Sequence, residues 1–223
     1  RNESALKLTL KELATHANQK HNYLVADFTS PDVVKKMIQA FTVQAQIHVL
    51  INNTGGPPAG LAIEATPEQF LAAFNSHLIC NQILTQAVVP GMKLASYGRI
   101  VNVISTSVKI PLRGLGVSNT IRGAVANWSK TLSIELAPFG ITVNNVLPGT
   151  TMTARLDALI RSKAEKANKT YEQAKQEMIA EIPAGRISEP FEVAAAVAFL
   201  ASPAAAYING INLPVDGGRT GSL

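Results

Sequence analysis

The sequence has a single cysteine, Cys80, so no disulfide can form within the chain. Its neighbours Leu78, Ile79, Ile83 and Leu84 are apolar at helical spacing, which predicts a buried, unreactive thiol rather than a nucleophile. No run of about 18 uninterrupted apolar residues occurs and no secretory leader is read, so a soluble, cytoplasmic protein with no membrane partner is expected. Aromatic residues make up only 5%, and there is no zinc-binding spacing or RNA-binding signature, so no metal is expected. The formal charge is +5, but Glu165 and Glu172 interrupt the densest basic stretch, residues 161–175. That interleaving describes a solvated helix face and argues against nucleic acid as a partner. Charged residues total 16% against 47% apolar, which excludes a disordered chain and lets 223 residues build one domain. The opening Arg1-Asn2-Glu3 is not a methionine start and enters a helical pattern at once, as if the chain begins inside a fold.

What is present alternates regularly. Short β-branched runs separate long amphipathic helices, the pattern of a parallel sheet covered on both faces. Helices are predicted over residues 3–19, 30–45, 66–92, 118–137, 154–180 and 190–200. Strands are predicted over 23–26, 47–51, 99–104, 141–146 and 211–215. Ser30 is expected to cap the second helix, with Pro31 in its first turn. No repeat or linker divides the chain, so residues 1–223 read as a single α/β, doubly wound domain.

In open parallel sheets a ligand binds beyond the carboxyl ends of the strands. The residues just past each run here are Asp27, the loop Asn52-Asn53-Thr54-Gly55-Gly56-Pro57-Pro58, Ser105 to Ser107, and Pro148 to Thr153. Taken singly, each is ordinary turn chemistry. Their recurrence after successive strands points to a nucleotide cradle.

Three segments make the reading specific. They are Ile47-His48-Val49-Leu50-Ile51-Asn52-Asn53-Thr54-Gly55, Gly98-Arg99-Ile100-Val101-Asn102-Val103-Ile104-Ser105, and Asn144-Asn145-Val146-Leu147-Pro148-Gly149 with Thr153. Together with Gly185-Arg186 and the closing Val215-Asp216-Gly217-Gly218, they resemble the short-chain dehydrogenase/reductase family, in its 3-oxoacyl-ACP reductase-like branch. The resemblance spans essentially the whole chain. It implies a three-layer Rossmann fold, a nicotinamide cofactor, a small-molecule carbonyl or alcohol substrate, and a homodimer or homotetramer. By the same resemblance Asp27 contacts the adenine and Asn52 and Gly55 line the adenosine side. Pro148, Gly149 and Thr153 meet the nicotinamide half. Arg1, a basic residue where the family's second strand ends, favours the 2′-phosphate of NADP over NAD.

Two of the family's features are missing. The glycine-rich turn between its first strand and first helix is not found; Gly55-Gly56 lies in a later loop. The expectation is therefore a further βαβ portion upstream, since a strand at 23–26 would otherwise have no neighbour to pair with. The second departure is chemical. The register of Ser129-Lys130-Thr131-Leu132 places Ser118-Asn119-Thr120-Ile121-Arg122 where the family carries Tyr-x-x-x-Lys, and places His77 where it carries asparagine. Ser105 alone of the four is kept. Serine is a far weaker acid than a phenol and reaches less far, while arginine keeps the charge and can fork onto hydroxyls or phosphate. His77 becomes the candidate proton source, with Ser105 and Ser118 orienting a carbonyl. Ser107 and Lys109 read as rim residues. Two functions stay open: an oxidoreductase with a non-standard proton donor, or a nucleotide- or ligand-binding protein that has lost the reaction.

Overall fold

A central parallel strand hydrogen-bonds on both edges and is covered on both faces, so its sequence is largely apolar. The computed structural model, which describes residues 2–16 and 19–222, builds a four-stranded parallel sheet whose two central strands are buried in this way. Strands β1 (Val49–Asn52), β2 (Gly98–Val103), β3 (Ile141–Pro148) and β4 (Asn212–Val215) pair in parallel in the order β1-β2-β3-β4. Helices α3 (Pro67–Phe74) and α4 (Cys80–Leu94) cross from β1 to β2, and α5 (Gly116–Leu136) crosses from β2 to β3. Together with α2 (Pro31–Thr42) they cover one face, where Val34, Ile38, Leu84, Val88 and Met92 pack on Ile100 and Val143. On the other face α8 (Pro190–Ala201) sets Leu200, Val193 and Val197 against Val101 and Val146. The three-layer Rossmann-type fold is as the sequence reading expects. Within the described residues the strand order runs without reversal. Helices α6 (Ala154–Lys166) and α7 (Tyr171–Ala180) form a satellite with their own small core of Leu156, Ile160, Ala174 and Ile182.

A line of asparagines runs through all four strands. Asn52, Asn102, Asn145 and Asn212 stand opposite one another in successive pairings. Asn52 Nδ2 donates to Asn102 Oδ1 (2.8 Å), Asn102 Nδ2 to Asn145 Oδ1 (3.0 Å), and Asn145 Nδ2 to Asn212 Oδ1 (2.8 Å). Asn102 Nδ2 also reaches Ser129 Oγ on α5 at 3.2 Å. Amides buried beside apolar cores are costly unless paired, and amides paired in series polarise one another. A slip of one residue in any strand would break a rung and strand its amide, so the ladder holds the register of the sheet. It also locks the strand ends level with one another. At the β1 edge Asn52 Oδ1 is buried without a partner.

Several sequence expectations need correction. Residues 23–26 form no strand, and Leu24 and Val25 are exposed. No strand in the described residues flanks β1 on its outer side, so this segment has no ladder to join. Helix α1 (Glu3–Glu12) stops well short of residue 19. Ser30 occupies the cap position of α2, but its side chain makes no capping bond; its carbonyl accepts from Val33 and Val34 instead. The helical stretch 66–92 is interrupted by a π turn at Asn75–Ile79. The stretch 154–180 is two helices, broken where Asn168 takes a left-handed φ of 51° and Thr170 starts α7 with a capping box.

Replacing the central rung tests the ladder. Asn102→Ala strips Asn52 Nδ2, Asn145 Oδ1 and Ser129 Oγ of their bonds to it and should lower stability in urea unfolding by about 2–4 kcal/mol. Asn127→Ala, on the exposed side of α5, should change it by less than about 0.5 kcal/mol. Equal effects for the two variants would show that the ladder contributes nothing special.

Candidate functional site

The ladder brings three loops to the same end of the sheet: residues 52–58 after β1, 104–116 after β2 and 149–153 after β3. Helix α5 packs against both the turn at 106–108 and the π turn. The elements carrying Ser105, Ser118, Arg122 and His77 are thus neighbours, as the sequence reading requires.

Arg122 lies in the second turn of α5 and is almost wholly buried. Its Nη1 donates to Val103 O and its Nη2 to Thr54 O, each at 3.1 Å. The fork that the sequence reading reserved for ribose or phosphate is turned onto backbone carbonyls, so the side chain braces two strand ends against the helix. Burial, and then the like charge of Arg155, pull its pKa down to about 10, which leaves it charged at neutral pH.

His77 sits in the π turn at 2% exposure. Turns of this kind widen a helix locally and recur at functional sites. Its Nδ1 is hydrogen-bonded to Thr54 Oγ1. Burial first, then Arg122 and Arg155, push its pKa down to about 4. His77 is therefore a neutral imidazole at physiological pH, able to donate a hydrogen bond or to relay a proton from one ring nitrogen to the other but not to act as an imidazolium acid.

Ser105 is half-buried, and its Oγ accepts from Ser107 N at 3.1 Å, closing the turn after β2. Ser118 is half-buried in the first turn of α5, and its Oγ has no partner among the described residues. Ser107 is buried with its Oγ unpaired, which corrects the expectation of a rim residue. Cys80 is fully buried, bonded to Phe28 O at 3.3 Å, and its thiol is pushed up to about 11 by burial. The inert reading of the sequence fits.

Of the expected cofactor residues, Asn52, Gly55, Pro148, Gly149 and Thr153 lie at or just past the ends of β1 and β3. Asn52 is the end rung of the ladder. Gly55 is exposed with open space where a side chain would stand. Gly149 cannot carry a Cβ, which would lie 2.6 Å from Asp216 Cβ, so its glycine is required by the close passage of the C-terminal turn. Pro148 ends β3, and Thr153 caps α6 by accepting from Leu156 N at 3.2 Å. Asp27 Oδ1 accepts from Thr29 N and Oγ1 at 2.9 Å, holding the turn before α2. Arg1 lies outside the described residues.

Two residues escaped the sequence reading. Thr54 joins His77 through its hydroxyl and Arg122 through its carbonyl. Its place in the loop just past the first strand was the available signal. Arg155, in the first turn of α6, reaches across to Pro57 O at 3.0 Å; no motif marks it.

A family profile described as enoyl-(acyl carrier protein) reductase matches residues 1–220. The chain belongs to the short-chain dehydrogenase/reductase family. Among members of this family, a 3-oxoacyl-[acyl-carrier-protein] reductase, FabG of Vibrio cholerae, is 32% identical over 87% of this chain and 76% of its own length. The NADPH-dependent reductase BacG of Bacillus subtilis is 29% identical over 95% of this chain and 82% of its own. A crystal structure of YwfH, described as an NADPH-dependent reductase of bacilysin biosynthesis, superposes with a TM-score of 0.92 at 28% identity. It covers 100% of this chain and 87% of the other. A variant of actinorhodin polyketide ketoreductase, crystallised with NADPH, gives 0.90 at 31% identity, covering 100% and 86%.

The state of His77 has a measurable consequence. Its folded pKa is depressed below the ordinary value of 6.5, so the unfolded chain binds the proton more readily. Its contribution is fully present above pH 6.5 and is lost as pH falls towards 4, by about 3 kcal/mol in all. Between about pH 7 and pH 4.5 the wild type should lose stability in urea unfolding more steeply than His77→Asn. Parallel curves would contradict a neutral, buried His77.

Proposed function

We propose that this protein is an NADP-dependent short-chain oxidoreductase, working on a carbonyl or alcohol substrate through a non-standard site in which Ser118 and Arg122 replace the family's tyrosine and lysine. The observation that carries the reading is the convergence of three loops at the carboxyl ends of adjacent parallel strands, in a fold of this family. The residues present fit a dinucleotide. Asn52 Oδ1 is a buried acceptor without a partner, and Gly55 leaves open space on the rim. Asp27, Asn52 and Gly55 would hold the adenosine half, Pro148, Gly149 and Thr153 the nicotinamide half, and Arg1 the 2′-phosphate. NADP is favoured because BacG and YwfH are described as NADPH-dependent.

When bound, the reduced nicotinamide supplies a hydride. The chain's own residues do the rest. Ser105 and Ser118 orient and polarise the carbonyl oxygen. The buried charge of Arg122 favours the negative charge that develops there, without giving up a proton. His77, as a neutral imidazole, would relay a proton, taking one up from water at one ring nitrogen as the other releases one toward the carbonyl oxygen, with Thr54 fixing the ring. The family's dimer face is formed by its two long helices, here α4 and α5, and Trp128 Nε1 already ties them by donating to Gln82 Oε1 at 2.7 Å. A homodimer or homotetramer follows on this reading.

The alternative of a binding protein without a reaction rests on the same two replacements, and kinetics separate the two. With a carbonyl panel and NADPH, His77→Ala should lower kcat by about 100-fold while leaving NADPH affinity nearly unchanged. An unaffected His77→Ala enzyme would remove His77 from the chemistry. If the wild type turns over nothing and Ser118→Tyr with Arg122→Lys creates carbonyl reduction, the site is a degenerate copy and the binding reading is correct.

A further inference from the structure

Three basic side chains grip one short loop. His77 Nδ1 meets Thr54 Oγ1, Arg122 Nη2 donates to Thr54 O at 3.1 Å, and Arg155 Nη2 donates to Pro57 O at 3.0 Å. Between those anchors, Arg155 Nη1 lies only 2.6 Å from where a Cβ on Gly56 would stand. Real side chains do not come that close, so the missing side chain of Gly56 is what admits the guanidinium over the loop.

Neither arginine is neutralised. Every ion pair among the described residues lies elsewhere, and neither Arg122 nor Arg155 takes part in one. Arg122 instead feels the like charge of Arg155. Arg155 is exposed, keeps Nη1 and Nε without a partner among the described residues, and stands in the first turn of α6, where the helix dipole adds positive potential. Arg122 is buried, yet no described residue supplies it an opposite charge; Arg155, whose charge it feels, is open to solvent, which leaves that guanidinium accessible to an anion arriving at the rim.

We propose that Arg155, backed by Arg122, seats an anionic group of the substrate, a carboxylate or phosphate carried on the same molecule as the reacting carbonyl. The proposal rests on the reductase reading for its substrate, though the charge argument stands without the reaction. The dinucleotide's own phosphates are the competing source. In folds of this kind the pyrophosphate lies on the first strand-to-helix turn, whereas Arg155 belongs to α6, after β3.

The test uses acetoacetate and its neutral methyl ester, a matched pair of ketones differing in one charge, and reads binding by calorimetry with and without saturating NADPH. The wild type should bind acetoacetate at least about tenfold more tightly than methyl acetoacetate, the scale of one charge-assisted fork. Arg155→Gln should erase that preference and Arg155→Lys keep part of it. Gly56→Ala, which leaves the charge but displaces the guanidinium, should weaken it. NADPH affinity should stay within about threefold throughout. Equal binding of the two ketones by the wild type would overturn the proposal, as would no detectable binding of acetoacetate at about 50 mM. If Arg155→Gln lost NADPH affinity by the same factor as acetoacetate affinity, the anion would be the cofactor's and the proposal would fail. Selective acetoacetate binding without NADPH oxidation by any carbonyl would sink the reductase reading and leave the anion seat intact.

Discussion

The rest of the structure depends on a chain of side-chain amides. Four asparagines, one from each strand, are linked in the same direction across the sheet, and Ser129 ties the second rung to α5. Hydrophobic burial on either face would tolerate small shifts of one strand against the next, since apolar contact has no direction. Buried amides do not tolerate them. The ladder therefore converts a packed sheet into one with a single register, and the level at which each strand hands over to its loop follows from that. The site is a consequence: loops 52–58, 104–116 and 149–153 meet because their strands end together.

The second constraint is charge. Arg122 braces Thr54 and Val103 from within the protein, an arrangement that needs a permanent cation with a planar fork and that a lysine would satisfy less fully. Burial first, and then the field of Arg122 with that of Arg155, keeps His77 neutral. Thr54, His77 and Arg122 are thus physically linked: the threonine's hydroxyl meets the ring and its backbone carbonyl accepts from the arginine. Changing one alone would leave a polar group of another without its partner. Ser118, whose hydroxyl has no partner among the described residues, stands outside this network.

The layers of the fold were legible because apolar runs of parallel strands and amphipathic helices carry distinct periods, and β2, β3, α5 and α8 appear close to where the pattern puts them. What failed depended on partners rather than on local pattern. Residues 23–26 have the composition of a strand, but no strand among the described residues flanks β1 to receive them. The break between α6 and α7 turns on one left-handed residue, Asn168, which a run of charged helix formers disguises. In the site, strand-end positions were readable from motif spacing, so Ser105, Ser118, Arg122 and His77 fall on neighbouring elements. Roles were not. That Arg122 faces backbone carbonyls rather than the cleft, and that Arg155 crosses from α6 to Pro57, are facts of tertiary geometry with no trace in spacing.

The central claim is that the strand-end loops of this sheet form a seat for a phosphorylated nicotinamide dinucleotide. A fluorescence titration of the protein with NADPH and with NADH tests it most directly. The account predicts saturable NADPH binding at about micromolar concentration, tighter than NADH by roughly tenfold. Failure of both nucleotides to bind up to about 1 mM would contradict it.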